Sequence, residues 1–258
     1  MVEIKSAAEL ERMRKASSIV AEVLVLLKDM VRPGVLTSDL NAFAEREIRA
    51  RGGEPAFLGY RGYPATLCVS INEEVVHGIP SPSRKIGEGN IVSLDLGCVW
   101  RDYYGDAALT VAAGRISKEA ARLMAVTERS LAEALAQVRD GAKLGDVSHA
   151  VERCAAAAGF SVVREFTGHG IGRRLHEDPT IPNYGRPGSG ITLREGMTIA
   201  IEPMICAGRP GVEVKEDGWT AVTKDGALSA HFEHTVCVKR GGCEILSAGP
   251  AGTAWALI

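Results

Sequence analysis

An internal repeat with a period of 107 residues restricts the folds open to this 258-residue chain more than any other feature of the sequence. Residues 31–34 (Val-Arg-Pro-Gly) resemble residues 138–141 (Val-Arg-Asp-Gly), and 138 − 31 = 107. Amphipathic helices share apolar spacing by chance, but chance does not explain shared glycines and carboxylates. We therefore predict two related halves, roughly residues 1–115 and 116–258, packed about a pseudo-twofold axis. Further matches at this offset are 91–95 with 198–202, Asp39 with Asp146, Glu45 with Glu152, Gly52 with Gly159, and Glu88-Gly89 with Glu195-Gly196.

Each half is predicted to begin with two helices that are followed by strands. Residues 6–9 (Ser-Ala-Ala-Glu) form a capping box, in which the serine hydroxyl and the glutamate carboxylate each cover a free backbone N–H. The helix that follows ends at Pro33-Gly34. Thr37 or Ser38 is expected to cap a second helix that ends at Gly52-Gly53. Two more helices are predicted from about Ser117 to Val138 and from Asp146 to about Ala158, and strands at 66–71, 91–100 and 107–112.

The composition is typical of a folded globular protein, with 46% hydrophobic residues, 24% charged residues and a net charge of -2. This balance argues against disorder and against a general binder of nucleic acids or membrane surfaces. No apolar run approaches the ~18–20 residues of a membrane span, and no apolar signal core is found near the N-terminus. The six cysteines form no C-x-x-C pair and lie in apolar segments. Buried free thiols and a cytoplasmic location are therefore expected.

Four acidic residues stand in apolar or strand-like sequence, where a lone ionised carboxylate is costly. Asp95 and Glu202 lie in matched strands, Asp106 precedes Ala-Ala-Leu, and Glu233 lies in residues 231–236 (His-Phe-Glu-His-Thr-Val). In a duplicated fold, Asp95 pairs with Asp106 and Glu202 pairs with Glu233, and the twofold axis brings the pairs face to face. Divalent cations relieve the repulsion among four carboxylates better than protonation does. An oxygen-rich set with one imidazole suits Mn, Fe, Co or Zn.

His169 is predicted to supply the imidazole, because the glycines of residues 168–172 (Gly-His-Gly-Ile-Gly) let the backbone turn tightly around a ligand. Taken singly, each acid could form a buried salt bridge or lie in a solvated turn, and this is the favoured interpretation of Asp106 alone. His169 alone could be a core histidine, although its glycine-rich loop favours a functional role. The five residues together are difficult to explain without metal ions.

The residues around His169 resemble the signature of type I methionine aminopeptidases. Residues 166–184 (Phe-Thr-Gly-His-Gly-Ile-Gly-Arg-Arg-Leu-His-Glu-Asp-Pro-Thr-Ile-Pro-Asn-Tyr) carry the resemblance, and the five candidate ligands have the family's order and spacing. The resemblance covers nearly the whole chain. It implies the α+β pita-bread fold, in which two pseudo-twofold-related halves form an antiparallel sheet covered by helices, here as one catalytic domain over 1–258. Further matching segments are 59–64 (Gly-Tyr-Arg-Gly-Tyr-Pro), 70–73 (Ser-Ile-Asn-Glu), 77–80 (His-Gly-Ile-Pro) and 217–220 (Asp-Gly-Trp-Thr).

The spacing of the last two acids distinguishes among subtypes of the family. Glu233 follows Glu202 by 31 positions, which is too few for the inserted subdomain of type II enzymes, and the chain begins almost directly with its first helix. It therefore resembles the short bacterial form of the enzyme. The resemblance implies a monomer that removes the N-terminal methionine of nascent proteins and peptides, with a preference for a small second residue.

The resemblance also implies which residues hold two divalent ions (Fe, Mn, Co or Zn). Asp95, Asp106 and Glu233 would hold one ion, and Asp106, His169, Glu202 and Glu233 would hold the other. Hydroxide generated at this dinuclear centre would attack the carbonyl of the first substrate residue. The resemblance to the family also implies a monovalent cation near Asn72 and Ser229.

Roles in catalysis and specificity follow from the same resemblance. Glu202 would transfer a proton to the leaving amine, His176 would stabilise charge on the scissile carbonyl, and His77 would contact the substrate amide. The side chains that would receive methionine are Tyr60, Tyr63, Cys68 and Trp219, since a thioether packs well against aromatic rings. The sequence departs from many bacterial relatives at the rim of this slot, at Phe57, Arg61 and Leu175, which puts the strictness of the methionine preference in doubt. His77 could instead be structural, and ordinary loop packing is the alternative for Tyr60 or Tyr63.

Two other functions are kept as alternatives. A proline-specific aminopeptidase or prolidase shares the fold, but such enzymes generally carry a large extra N-terminal domain. A metal-free binding protein could also keep the fold, although retention of all five ligands argues against it.

The predicted partner is the N-terminus of a peptide or nascent chain. Transient contact with the ribosome is also expected of such an enzyme, but no local basic tract in the sequence supports that contact. His149, His231 and His234 are assigned structural or supporting roles, with His149 on a solvated helix face.

Overall fold

The computed structural model describes residues 2–249, which form an α+β fold. The helices are α1 (Ala7–Met30), α2 (Thr37–Ala50), α3 (Lys118–Leu135) and α4 (Leu144–Ala157), with a 3₁₀ turn at Tyr60–Gly62. The strands are β1 (Glu54–Pro55), β2 (Leu67–Ile71), β3 (Glu74–Val76), β4 (Ile91–Trp100), β5 (Tyr103–Ala112), β6 (Ser161–Val162), β7 (Thr167–Gly170), β8 (Glu177–Pro182), β9 (Thr198–Ile201), β10 (Met204–Cys206), β11 (Val212–Val214), β12 (Ala221–Thr223), β13 (Ser229–His231), β14 (Glu233–Lys239) and β15 (Gly242–Ile245).

The helix starts are confirmed in two cases and wrong in a third. Ser6 and Glu9 form the predicted capping box at α1, and the Ser117 hydroxyl accepts the Ala120 N–H at the start of α3. The cap predicted for α2 is wrong, because Leu36 occupies the cap position and Thr37 is the first helical residue. The Thr37 hydroxyl is engaged elsewhere: it accepts the Ser81 N–H at 2.8 Å and donates to the Ser81 carbonyl at 3.1 Å.

A nine-stranded antiparallel sheet forms the centre of the fold. Its order is β1-β4-β5-β14-β9-β7-β8, with β2 added to β4 and β15 added to β14. Two three-stranded sheets, β13-β10-β6 and β11-β12-β3, complete the β-structure. Helix α1 packs on β4 and β5, and the apolar faces of all four helices join the main hydrophobic core. Burial of this continuous apolar face is what holds helices and sheet together.

The central sheet joins the two repeated sections through β5 and β14, with Glu233 directly opposite Ala108. The element order confirms the predicted fold class, since two helices precede the long strands in each repeat. The boundary between halves near residue 115 stays a prediction, as does a single catalytic domain over 1–258; the connection between β5 and α3 falls at that boundary. The cysteines are free, as expected, and Cys243 is the one that is not fully buried. No helix within residues 2–249 is both long enough and apolar enough to cross a membrane.

Candidate metal centre and substrate cavity

The β4–β5 hairpin presents the first two predicted carboxylates. Asp95 stands opposite Ala108 and Asp106 stands opposite Gly97, so the two acids lie on adjacent strands two positions apart in register. Side chains at such diagonal positions on one face are close enough to interact. The hairpin therefore places Asp95 and Asp106 together, as the sequence predicted.

The other two carboxylates come from β9 and β14. Glu233 is the first residue of β14, and Glu202 follows β9 directly. Pro203 lacks an N–H and cannot continue the ladder, so the strand ends at Ile201 and Glu202 stands at the break. The ladder between β9 and β14, which pairs Ile201 with His234, places Glu202 beside Glu233.

His169 completes the set from β7, which lies between β8 and β9. Its Nδ1 lies 2.9 Å from the Gly170 carbonyl oxygen, an acceptor, so Nδ1 carries the ring proton. The unprotonated Nε2 then faces Glu202 Oε1 at 3.6 Å and Asp106 Oδ2 at 3.9 Å. A neutral imidazole with its second nitrogen fixed in this way is the usual form of a histidine metal ligand.

The glycines around His169 act differently from the prediction. Gly168 and Gly170 belong to β7 and, like Gly172, do not have a positive φ, so they do not make a tight turn. A Cβ on Gly168 would collide with the Ala200 carbonyl, and one on Gly170 would collide with the Asp178 carbonyl. Their role is close approach of neighbouring strands, which seats His169 deep in the sheet.

Burial and mutual repulsion keep the four carboxyls from ionising easily. Burial raises the pKa of Asp95 to about 7, although a hydrogen bond with Asp106 lowers it. The pKa of Asp106, of Glu202 and of Glu233 is also raised, first by burial and then by the neighbouring carboxyls. Burial lowers the pKa of His169 to about 3, so the imidazole is neutral.

This cluster has the features of a divalent metal site. Ligand atoms of Asp106, His169 and Glu233 lie within 4.8 Å of one another, and all three residues are buried. Three buried oxygens of this cluster have no hydrogen-bond partner within residues 2–249: Asp95 Oδ1, Asp106 Oδ1 and Glu233 Oε1. Buried polar atoms are rarely left unpaired, and cations satisfy such oxygens directly. The residues present therefore fit a metal centre made of carboxylates and one imidazole.

A cavity of about 320 Å³ opens above the cluster. All eleven residues predicted for the site line this one cavity: Tyr60, Tyr63, Cys68, His77, Asp95, Asp106, His169, His176, Glu202, Trp219 and Glu233. The three rim positions that depart from many relatives, Phe57, Arg61 and Leu175, line it as well. The chain thus brings together residues separated by more than 170 positions, and their roles remain predictions.

His176 stands beside the metal cluster and is held by neighbours on two sides. Its Nδ1 lies 2.7 Å from the Tyr60 hydroxyl, and its ring centroid lies 4.3 Å from that of His169. Burial lowers the pKa of His176, and the Arg61 guanidinium lowers it further. The ring is therefore neutral at pH 7, and when Nδ1 accepts from Tyr60 its Nε2 is free to donate a hydrogen bond.

His77 and the apolar slot lie on another wall of the cavity. The His77 ring packs edge-on against Phe166 at 5.4 Å and Trp219 at 6.1 Å between centroids, and burial lowers its pKa to about 4. Trp219 in turn packs edge-on against Tyr63 at 5.1 Å. Cys68, on β2, stands opposite Asp95 of β4. The slot thus joins aromatic rings and one buried thiol directly to the carboxylate cluster.

Several residues near the site were not predicted to belong to it. Glu165, Phe166 and Thr167 line the cavity, because they lead into β7 just before His169. His231, for which a structural or supporting role was expected, has its Nε2 3.8 Å from Glu202 Oε2. The only feature of the sequence that indicated a place near the site for His231 was its position two residues before Glu233.

Two smaller expectations concern residues at the edge of the site. His149 is not on a solvated face: it is half-buried, and its Nδ1 lies 3.2 Å from the Gly185 carbonyl oxygen. Asn72 and Ser229, named for a monovalent cation, are neighbours, since the Ser229 N–H donates to the Asn72 carbonyl at 2.8 Å. The cation itself stays a prediction.

Fold and site together define a metal-dependent hydrolase of the pita-bread type, and comparisons with known proteins specify it further. The model for metallopeptidase family M24 matches residues 11–240. The methionine aminopeptidase of Clostridium acetobutylicum is 47% identical over 247 residues, which is 96% of this chain and 99% of the relative. The crystal structure of methionine aminopeptidase from Thermotoga maritima superposes with a TM-score of 0.95 at 46% identity, covering 96% of this chain and 99% of that one.

The same fold is found in a more distant structure. Prolidase from Pyrococcus furiosus superposes with a TM-score of 0.76 at 21% identity, covering 96% of this chain but 66% of the prolidase. The chain belongs to metallopeptidase family M24 and, within it, to the methionine aminopeptidases. It is accordingly a hydrolase of the aminopeptidase class that uses divalent metal.

Proposed function

We propose that the protein removes the N-terminal methionine from peptides and nascent proteins, with a dinuclear metal centre and a preference for a small second residue. The observation that supports this most is the junction of the buried carboxylate–imidazole cluster with a slot of aromatic rings and one thiol in a single cavity. The cavity volume of about 320 Å³ is at the lower end of small-molecule sites, which suits one side chain and a small neighbour.

The five residues of the cluster would hold two ions, with some residues binding one ion and others shared by both. Asp95 would bind one ion, His169 and Glu202 would bind the other, and Asp106 and Glu233 would bridge them. Bound divalent ions supply Lewis acidity, which polarises a carbonyl and lowers the pKa of water towards neutrality. Three otherwise unpaired buried oxygens in this set support the assignment.

Three protein groups would act on the substrate itself. Glu202, the member of the cluster that stands at the strand break, would move a proton to the leaving amine. His176, whose Nε2 can donate while Nδ1 meets Tyr60, would stabilise the charge that develops on the scissile carbonyl oxygen. His77 would contact the amide nitrogen that follows. Each role uses a neutral imidazole or a buried carboxyl, in agreement with the directions of the pKa shifts.

Peptide hydrolysis with defined metal content tests the proposal. The metal-free protein is assayed on Met-Ala-Ser, Met-Lys and an Xaa-Pro peptide, with and without added Mn²⁺ or Co²⁺. We expect metal-dependent release of methionine from Met-Ala-Ser and little from Met-Lys. Cleavage chiefly before proline would favour a prolidase-like activity, and metal-independent or absent turnover would refute the proposal.

A variant of His176 separates the substrate role from the metal role. We expect His176→Ala to lower kcat by about 10²–10³-fold, the loss typical of a donor to a developing oxyanion, with metal content unchanged. His149→Ala is the matched control, because it removes a half-buried histidine outside the cavity. Unchanged turnover in His176→Ala would remove this residue from the mechanism.

A further inference from the structure

His231 is a buried histidine at the centre of the molecule that the proposed chemistry does not use. It ends β13, two residues before Glu233, and is 1% exposed. Its Nε2 is fully buried and has no hydrogen-bond partner within residues 2–249. An imidazole nitrogen left unpaired in the interior is costly, so its surroundings must account for it.

The surroundings of that nitrogen are carboxylate oxygens. His231 Nε2 lies 3.8 Å from Glu202 Oε2 and 4.0 Å from Glu233 Oε2. Glu202 therefore has an imidazole at each oxygen, since its Oε1 faces His169 Nε2 at 3.6 Å. The two histidines lie on opposite sides of one carboxylate.

The two rings differ in the nitrogen that carries the proton. His169 donates a hydrogen bond from Nδ1–H to the Gly170 carbonyl, which leaves a lone pair on Nε2 for a ligand bond. No such hydrogen bond holds a proton on Nδ1 of His231 in the described chain. When Glu202 and Glu233 are ionised, as carboxylates that bind metal are, a lone pair on its Nε2 would face two carboxylate oxygens and repel them. In that state Nε2 carries a proton in either charge state of the ring.

The backbone of His231 is fixed from the first half of the molecule. Its N–H donates to Thr110 Oγ1 at 2.9 Å, and the Thr110 hydroxyl donates to its carbonyl at 2.8 Å. Ser93 Oγ lies 2.9 Å from the same hydroxyl. Hydrogen bonds at both the N–H and the C=O of His231 therefore fix the backbone that carries the ring. A movement of the ring by about 1 Å would bring its Nε2 within hydrogen-bond distance of Glu202.

We propose that His231 is a positioning residue of the metal centre, which uses its Nε2–H to hold the outer oxygens of Glu202 and Glu233 so that their other oxygens face the ions. The inference rests on the proposed metal centre. Hydrogen bonds to the free oxygen of a ligating carboxylate orient it, and losing such a partner typically weakens metal binding by about 10- to 100-fold.

A pair of substitutions tests whether the N–H donor is what matters. His231→Leu removes the donor at similar size, whereas His231→Gln keeps an amide N–H. We measure Mn²⁺ binding to the metal-free protein by titration calorimetry and record the visible spectrum of the Co²⁺-loaded protein. We expect about 10- to 100-fold weaker Mn²⁺ binding in the leucine variant and a change under about threefold in the glutamine variant. His149→Leu is the control and should bind as the wild type does.

Stability without metal provides an independent measurement. His231→Leu removes a buried polar group that has no partner, so its metal-free Tm should not fall. Its rise in Tm on adding Mn²⁺ should be smaller than that of the wild type, because weaker binding stabilises less. This pattern separates loss of metal positioning from general damage to the fold.

Three results would overturn the proposal. Wild-type affinity in His231→Leu would show that the donor is not needed, and equal weakening in both variants would show that ring shape matters instead. A changed Co²⁺ spectrum in the glutamine variant would make His231 a direct ligand. If the wild type binds no divalent ion, the proposed function fails first, and that outcome is distinct from all three.

Discussion

The two repeated sections of the molecule have second helices of the same length at matching positions. Both α2 (Thr37–Ala50) and α4 (Leu144–Ala157) have 14 residues, and their ends are 107 positions apart. The bridges that precede them, Leu36 with Lys85 and Lys143 with Thr192, obey the same offset. The duplication thus preserves the points at which the chain enters each helix.

The strands that carry the site differ between the sections. In the first, β4 runs unbroken over Ile91–Trp100, with Asp95 in its middle. In the second, the equivalent stretch is split into β9 and β10 at Glu202-Pro203. The matched carboxylates, Asp95 and Glu202, therefore have different backbones, one inside a ladder and the other at its end.

The contact between β5 and β14 shows where the symmetry of side chains is lost. Asp95 lies opposite Ala108, and the same pairing continued from β9 places Glu202 opposite Glu233, so Ala108 and Glu233 are equivalent positions. They also face each other across the β5–β14 pair, as residues on a twofold axis do. Two residues before these positions, Asp106 in β5 corresponds to His231, which ends β13. Matched positions of the two sections therefore carry an asymmetric set of candidate ligands.

Of the substitutions considered, removal of the Asp106 carboxylate, the acidic member of the Asp106–His231 pair, is expected to have the largest effect. We expect Asp106→Ala to lower kcat/KM by at least about 10³-fold and to reduce metal stoichiometry, because losing the proposed bridging ligand would remove several kcal/mol of charge stabilisation. At the equivalent position, His231→Leu should cost far less. Metal analysis after dialysis, together with peptide assays, measures both.

An exposed acid on α1 provides the control for this comparison. Asp29→Ala should leave metal content and kcat/KM unchanged. Equal losses in Asp106→Ala and His231→Leu would mean that the two positions are functionally as well as structurally equivalent, which would contradict the different roles expected of the two side chains.

Sequence patterns predicted the elements built from local chemistry. The strands predicted at 66–71 and 91–100 are β2 and β4 to within one residue, and the offset of 107 located the equivalence of Asp95 and Glu202. Apolar periodicity and the Ser6 capping box depend on near neighbours, which the sequence contains. The candidate ligands were found because buried carboxylates are unusual in apolar strands.

What the sequence did not predict depends on distant neighbours. Gly168 is needed because the Ala200 carbonyl lies against it, and that contact joins residues of two strands rather than a turn. Thr37 fails to cap α2 because its hydroxyl is engaged by Ser81. His231 becomes part of the site only when the fold brings Glu202 beside it. None of these partners can be identified from local pattern.

A smaller effect tests the part of the molecule that is symmetric. Gly34 and Gly141 have φ values of 92° and 82°, and their N–H groups donate to Ile86 and Leu193 carbonyls, again 107 positions apart. Neither has an atom near an added Cβ. We expect Gly34→Ala and Gly141→Ala each to cost about 1–2 kcal/mol of unfolding free energy, the strain of a left-handed residue.

Chemical denaturation of the metal-free variants measures this cost. Gly211→Ala, where φ is not positive and an added Cβ meets only the Lys224 side chain at 3.4 Å, is the control and should change stability little. Costs that differ between the two glycines by more than about 1 kcal/mol, well beyond the usual error of additivity, would contradict the equivalence of the two helix entries.

The smallest effect on stability is expected from breaking an ion pair that joins the two sections. Arg14 of α1 makes a two-bond ion pair with Glu244 of β15, and Lys239 lies 3.0 Å from the same carboxylate. The hydrogen bonds from Arg14 are the main cause that lowers the pKa of Glu244 to about 2 from its ordinary 4.5. We expect Glu244→Gln to cost about 1 kcal/mol at pH 7, the upper range for a partly exposed pair.

The sign of the pH dependence follows from the lowered pKa of Glu244. The folded protein holds this carboxylate ionised, so its contribution is present above about pH 4.5 and is lost as the pH falls towards 2. Denaturation in the presence of a chelator should therefore show wild type and Glu244→Gln converging over that range. Glu45→Gln, which breaks a pair with Arg49 inside α2 alone, should change stability by only a few tenths of a kcal/mol. A difference between wild type and Glu244→Gln that persists unchanged near pH 2 would show that shape, and not charge, ties α1 to the second section.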